Sequence, residues 1–131
     1  DDIGFFDEDF FIYFEEIDLC RRVIEVNKKI YLAPTIKINH SGGQSHNNII
    51  NNEMELSRNW HWMWSTFHYH KKYKGFLSAF LKVFSKLISS IFKFLFYFIL
   101  FKKKEGKIYY QRFSGLINSI AGKKSWYRPK V

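Results

Sequence analysis

Residues 15–40 read EEIDLCRRVIEVNKKIYLAPTIKINH, and the fold class turns on how this stretch divides. Residues 16–26 suit a short helix, with Ile17, Cys20, Val23 and Ile24 at i, i+3, i+4 spacing. Glu15, Glu16 and Asp18 fall in its first turn, where carboxylates suit the positive end of the helix dipole. Asn27 is a natural stop. Ile30-Tyr31-Leu32 then reads as a short strand broken by Pro34. Residues 35–39 alternate as a second strand, with Ile36 and Ile38 on one side, and deliver His40 at its end. The sequence thus places acids at a helix entrance and a histidine at a strand exit, ends that often line a cleft in α/β folds. On spacing alone the same residues also fit acids that cap a helix and a histidine on an ordinary surface.

Downstream, the small-residue run Ser41-Gly42-Gly43-Gln44-Ser45 closes this zone, and residues 46–53, HNNIINNE, read as a loop. Residues 54–73 read as a helix. Trp60, Met63, Trp64 and Phe67 fall on one face, and Arg58, His61, Ser65, His68 and Lys72 on another. The basic stripe fits a solvated face, contact with a diphosphate or anionic lipid, or a metal held by His61 with His68. The metal reading fares worst, because histidines two turns apart lie roughly 10 Å apart along the axis. Basic and aromatic residues interleave over residues 68–74, but no RNP-type, helix-turn-helix or zinc-finger pattern accompanies them, so no nucleic-acid partner is expected.

Residues 75–101 hold eight of the fifteen phenylalanines. The longest uncharged run there, residues 94–101, is far short of the ~20 residues that span a bilayer. Ser78, Lys82, Lys86, Ser89, Lys93 and Tyr97 recur at helical spacing as one narrow stripe, and the rest of the surface is apolar. This pattern predicts an interfacial helix or helix pair whose apolar side enters the acyl boundary, while Lys82, Lys86 and Lys93 meet anionic lipid. A core helix covered by another domain and a spanning helix with snorkelling lysines are the other readings. Lys102-Lys103-Lys104 fits the cytoplasmic flank of such a segment. Residues 108–122 suggest one more amphipathic helix, ended by Gly122 and a basic tail.

The whole chain is 131 residues with a formal net charge of +9, and the charge is unevenly placed. Residues 1–26 carry nine acids and two arginines, whereas residues 27–131 carry three acids and nineteen Lys and Arg. At 47% hydrophobic and 21% aromatic residues, the composition excludes disorder for most of the chain. The single cysteine, Cys20, excludes an internal disulfide framework and any multi-cysteine zinc site. The opening DDIGFFDEDFF reads as the inside of a domain, so a piece of a longer protein is expected.

The stretch FDEDFFIYFEEIDLCRR, residues 6–22, resembles the acceptor-side motif of inverting family-2 glycosyltransferases, in their rhamnosyltransferase-like branch. That motif runs F-D-E-x-F-F-x-Y-x-E-D-x-D-L-C-x-R. The continuation IYLAP, residues 30–34, and HSGGQS, residues 40–45, is similar to the family's strand–Pro–strand segment and its H-x-x-G-x-S signature. Arg58, Trp64-Ser65 and Lys71-Lys72 resemble its downstream R…WS…KK pattern, so the likeness runs in order over about residues 4–75.

The resemblance implies the C-terminal part of a GT-A (Rossmann-like) enzyme that moves a sugar, with inversion, from a nucleotide diphosphate to an acceptor hydroxyl. The acceptor is expected to be a saccharide or lipid-linked saccharide of cell-surface polysaccharide synthesis, and rhamnose is suggested as the sugar by the branch alone. Such chemistry needs a carboxylate to take the acceptor's proton and positive charge on the departing diphosphate. The family's base falls on Glu16, where the pattern usually has Asp, with Glu15 supporting or orienting it. Asp18 is expected to hold α-helical neighbours Arg21 or Arg22 in place. Asp7 and Glu8 match the acceptor loop, for contact with the acceptor sugar or for structure. His40, Gly43 and Ser45 match positions near the metal and diphosphate; a divalent cation, Mg or Mn, is implied, held mostly by a nucleotide-binding half upstream. No D-x-D suited to that half occurs here, so the chain alone is not expected to transfer sugar. The division expected is residues 1–53 as the acceptor-side part of the catalytic domain and residues 54–131 as a basic helical region. That region would hold the protein on the cytoplasmic, inner face of the cell membrane. The rival expectation is a non-catalytic membrane-surface binding module from a truncated or degenerate relative.

Overall fold

The computed structural model describes residues 3–38 and 48–129. Over these described residues the chain forms three helices: α1 (Glu15–Glu25), α2 (Asn48–Ile99) and α3 (Lys103–Ile120). Among the described residues there is no strand.

The α/β expectation is therefore corrected to an all-helical arrangement. Neither expected strand forms over the described residues. Ala33 accepts a hydrogen bond from the Ile36 amide across Pro34, so a turn stands where the two strands would have met. Apolar alternation records a preference for a pleated surface, but a strand exists only when another strand satisfies its backbone. Here Leu32 is 91% exposed and Ile38 84%, with no partner beside them among the described residues. His40 and the last residue of the second expected strand lie outside the described residues.

α1 forms where the acids at its entrance predict it. Phe14 precedes it in the left-handed region and supplies no side-chain cap, so Glu15, Glu16 and Asp18 stabilise the first turn through the dipole. Asn27 adopts φ 57° beyond the last turn. The Lys28 amide donates to Val23 and the Asn27 amide to Ile24, a Schellman closure in the place where Asn suits it.

α2 begins earlier than the sequence suggests, so residues 48–53 are helical and not a loop. An unbroken helix of 52 residues would extend roughly 78 Å. Gly75, at φ 77° and ψ 169°, interrupts it in a conformation that side chains disfavour. The chain folds back there. Met63 and Phe67 of the first arm (residues 48–74) pack against Ala79 and Val83 of the second arm (residues 76–99), with Leu116 of α3 completing the cluster.

α3 then runs alongside the first arm. Trp60 Nε1 donates to Ser114 Oγ at 3.2 Å, and Ser119 Oγ donates to the Trp64 carbonyl at 2.9 Å. The two backbones approach closely at one point, where a Cβ on Gly115 would collide with the Trp60 carbonyl oxygen. Only glycine allows that crossing. A second buried cluster of Phe10, Trp60 and Trp64 joins the N-terminal segment and the tail residue Tyr127 to the bundle.

Candidate functional site

The N-terminal segment reaches the first arm of α2 through aromatic contacts. Phe11 lies 4.8 Å from the His61 ring, and Phe14 lies 5.2 Å from Tyr69. Ser65 Oγ donates to the Ile12 carbonyl at 3.1 Å, fixing the chain as it turns through Tyr13 and Phe14, both at positive φ. These contacts bring the start of α1 beside the first arm of α2. A cavity of about 480 Å³ opens between them, with Phe11, Tyr13, Glu15, Glu16, Met54 and Arg58 on its walls.

Glu15 and Glu16 thus share one cavity with Arg58. Glu16 is exposed at the mouth, and it also borders a second hollow with Ile17, Cys20 and Tyr69. Glu15 is half-buried, and its Oε2 is a buried oxygen with no hydrogen-bond partner among the described residues. Burial raises the Tyr13 hydroxyl's pKa, while Arg58 pulls it down and Glu15 pushes it up. The cavity therefore combines aromatic faces, two carboxylates and one guanidinium. It can hold a polyhydroxylated ring against aromatic walls with a carboxylate near a hydroxyl.

Asp7, matched to the acceptor loop for sugar contact or for structure, does not line this cavity. Lys72 Nζ lies 2.7 Å from Asp7 Oδ2 and 2.6 Å from Asp18 Oδ1, bridging the two acids. Glu8 is exposed on the turn next to Asp7 and does not line the cavity. Asp18 is fully buried and also accepts from Tyr73 Oη at 2.6 Å and Arg22 Nε at 2.9 Å. Arg22 continues to the carbonyls of Ile3 and Phe5. Burial raises the Asp18 pKa, but hydrogen bonds from Lys72, Tyr73 and Arg22 outweigh it and hold the carboxyl below its ordinary value. The Tyr73 hydroxyl is pushed up to about 12 by burial and by Asp18. Asp18 is a structural hub, as its expected hold on Arg22 suggests. Its link to Lys72 escapes sequence reasoning, because nothing at 54 residues' separation marks a pair.

The histidines of the first arm are structural in their contacts. His61 is fully buried, its Nε2 sits 2.8 Å from the Tyr127 carbonyl, and its Nδ1 has no partner. Burial pushes its pKa down to about 4. His68 stacks on Trp64 with centroids 4.6 Å apart and faces Asp9 at 3.8 Å. Among the described residues no group of three or more His, Cys, Asp or Glu is placed to hold a metal ion. The implied divalent cation therefore finds no fitting ligand set there. His40, Gly43 and Ser45 lie outside the described residues.

The second arm divides its surface in an order that the sequence half predicts. Ala79, Phe80, Val83 and Leu87 face the bundle. Leu81 (67% exposed), Phe92 (68%) and Ile99 (71%) lie on an outward ridge that Leu77, Ile88 and Leu95 continue at helical spacing. The lysine stripe flanks this ridge and leans toward α3. Lys86 borders a cleft with Trp62, Tyr109 and Arg112, and Lys93 Nζ lies 5.1 Å from the Tyr109 ring centroid. Lys82 is exposed. No helix among the described residues is long and apolar enough to cross a membrane.

Comparison with protein-family models, with curated proteins and with solved structures finds no match for this chain.

Proposed function

We propose that this chain is the acceptor-side, membrane-proximal part of an inverting glycosyltransferase, whose donor is a nucleotide-diphosphate sugar and whose acceptor is a saccharide or lipid-linked saccharide. The observation that carries the reading is the carboxylate pair at the cavity between α1 and α2: Glu16 exposed, Glu15 with a buried oxygen that has no partner among the described residues, and Arg58, Phe11 and Tyr13 on the walls. In this reading Glu16 takes the proton of the acceptor hydroxyl as its oxygen attacks the anomeric carbon, Glu15 orients it, and Arg58 adds positive charge near the departing diphosphate. The bare apolar side of α1 (Ile17, Ile24) and the exposed Tyr31, Leu32 and Ile36 support a further covering part, as the nucleotide-binding half would be. The ridge of the second arm supports attachment to an anionic membrane surface on the cytoplasmic side, where a lipid-linked acceptor would present its sugar.

The test is Glu16→Gln in protein that carries the nucleotide-binding half. Turnover should fall by roughly a hundredfold or more while donor affinity stays within twofold. Unchanged turnover contradicts the base assignment.

The outward ridge by itself also favours a second reading, a non-catalytic membrane-surface module. That reading predicts vesicle binding with no sugar transfer from any nucleotide-sugar donor in the longer protein.

A further inference from the structure

The turn from α2 to α3 borders another cavity, of about 270 Å³, which shares no lining residue with the carboxylate cavity. Phe94, Tyr97, Phe98 and Phe101 supply one wall and Tyr110 the other. Their rings touch, with Phe94 and Tyr110 centroids 5.8 Å apart, yet leave this space open to the surface. Its interior is almost wholly apolar, and a water placed there lacks the polar partners that hold buried water. The volume lies just below the ~300 Å³ at which pockets for whole drug-sized ligands begin, so it suits a segment of a chain.

The mouth has the opposite character. Lys102, Lys103 and Lys107 border it with no acid among the described lining residues, and Lys103 and Lys107 also line an adjoining hollow that they share with Glu53 and Glu55. Lys104, on the same turn, is engaged with Glu55 at 3.5 Å on the other side of α3. Three ammonium groups around one opening repel one another, and an anion placed between them relieves that cost. The opening also lies at the start of α3, where the dipole favours negative charge. An apolar interior beneath a cationic rim is complementary to one chemistry: an anionic head on an apolar chain.

We infer that this cavity binds a phosphate-headed amphiphile, with the head-proximal chain among Phe94, Phe98 and Tyr110 and the phosphate between Lys102, Lys103 and Lys107. This inference is independent of the sugar-transfer reading. It is distinct from docking by the outward ridge, because it concerns one lipid molecule held in a cavity.

The 131-residue chain is titrated calorimetrically with dodecyl phosphate below its micellar concentration, with no bilayer present. Inorganic phosphate and dodecyl maltoside serve as the head-only and uncharged-chain arms. Dodecyl phosphate should bind one to one and at least about tenfold more tightly than either arm. The exposed substitutions Lys102→Glu, Lys103→Glu and Lys107→Glu together should weaken it by about a hundredfold, from roughly 1 kcal/mol per lysine. The equal charge change Lys28→Glu, Lys29→Glu and Lys37→Glu should alter it less than twofold, with circular dichroism confirming that both variants fold. Equal affinity for the maltoside, equal affinity for inorganic phosphate, or indifference to the rim substitutions each overturns the inference. Ridge substitutions act on vesicle binding alone, so failure of either claim leaves the other standing.

Discussion

The two arms of α2 are nearly equal in length and both rich in aromatic residues, yet they end in opposite situations. The first is enclosed by the N-terminal segment, α3, the second arm and the C-terminal tail. The second is covered on one side and bare on the other. Apolar content does not separate them. The first arm carries directional anchors: Trp64 Nε1 donates to the Lys123 carbonyl at 2.9 Å, His61 meets Tyr127, and Ser65 meets Ile12. Each anchor fixes a segment that then buries aromatic surface. The outward ridge of the second arm offers mainly Leu, Ile and Phe, flanked by exposed Ser78, Lys82, Ser85 and Lys93, and so lacks the directional anchors of the first arm.

The sharpest way to break this contrast is to remove apolar volume from each arm. Phe67→Ala, in the enclosed core, should cost about 3–5 kcal/mol in chemical denaturation. Acidification probes the same enclosure through His61, whose imidazole stays neutral in the fold. The unfolded chain takes a proton near 6.5 and the folded chain only near 4. The unfolded state therefore binds more protons between those values, and stability falls as pH drops through that window. The loss is up to about 3 kcal/mol at ~1.36 kcal/mol per unit, and His61→Gln should flatten the slope. Asp18, held below its ordinary value, keeps its contribution through this window and loses it only in stronger acid.

Smaller effects sharpen the comparison. Asp18→Asn weakens the hub that docks α1 on the first arm, at about 2–3 kcal/mol in thermal unfolding. Gly75→Ala forces a side chain into the positive-φ hinge between the arms and should cost about 1–3 kcal/mol. Last, Phe92→Ser on the bare ridge should change folding stability by less than about 0.5 kcal/mol while markedly lowering vesicle binding. A ridge substitution as costly as Phe67→Ala would show that the second arm is enclosed after all.

Local signals read well. The acids of α1, its stop at Asn27, the apolar face of Trp60, Met63, Trp64 and Phe67, and the helix ended by Gly122 all follow from spacing and turn chemistry. The strands did not, because Ile30-Tyr31-Leu32 records a local preference that only a distant partner can satisfy. The apolar side of α1 is likewise reversed in effect: Ile17 and Ile24 face outward while Asp18 and Arg22 face the bundle. Within the site, Glu15 and Glu16 were legible from a motif. Their meeting with Arg58 was not, since no local signal pairs residues more than forty positions apart. The bridge from Lys72 to Asp7 and Asp18 was not, since it joins residues that only the folded chain brings together.

Site-directed spin labelling on anionic vesicles tests the contrast between the arms most directly. Cys20 is the only cysteine and is exposed on α1, so its nitroxide is an internal aqueous reference. A second label is placed by Phe92→Cys in a Cys20→Ser background. On vesicle-bound protein, the label at position 92 should become accessible to oxygen and shielded from a water-soluble paramagnetic reagent, while the label at position 20 stays aqueous. Equal aqueous accessibility at the two positions would contradict a ridge that enters the membrane surface.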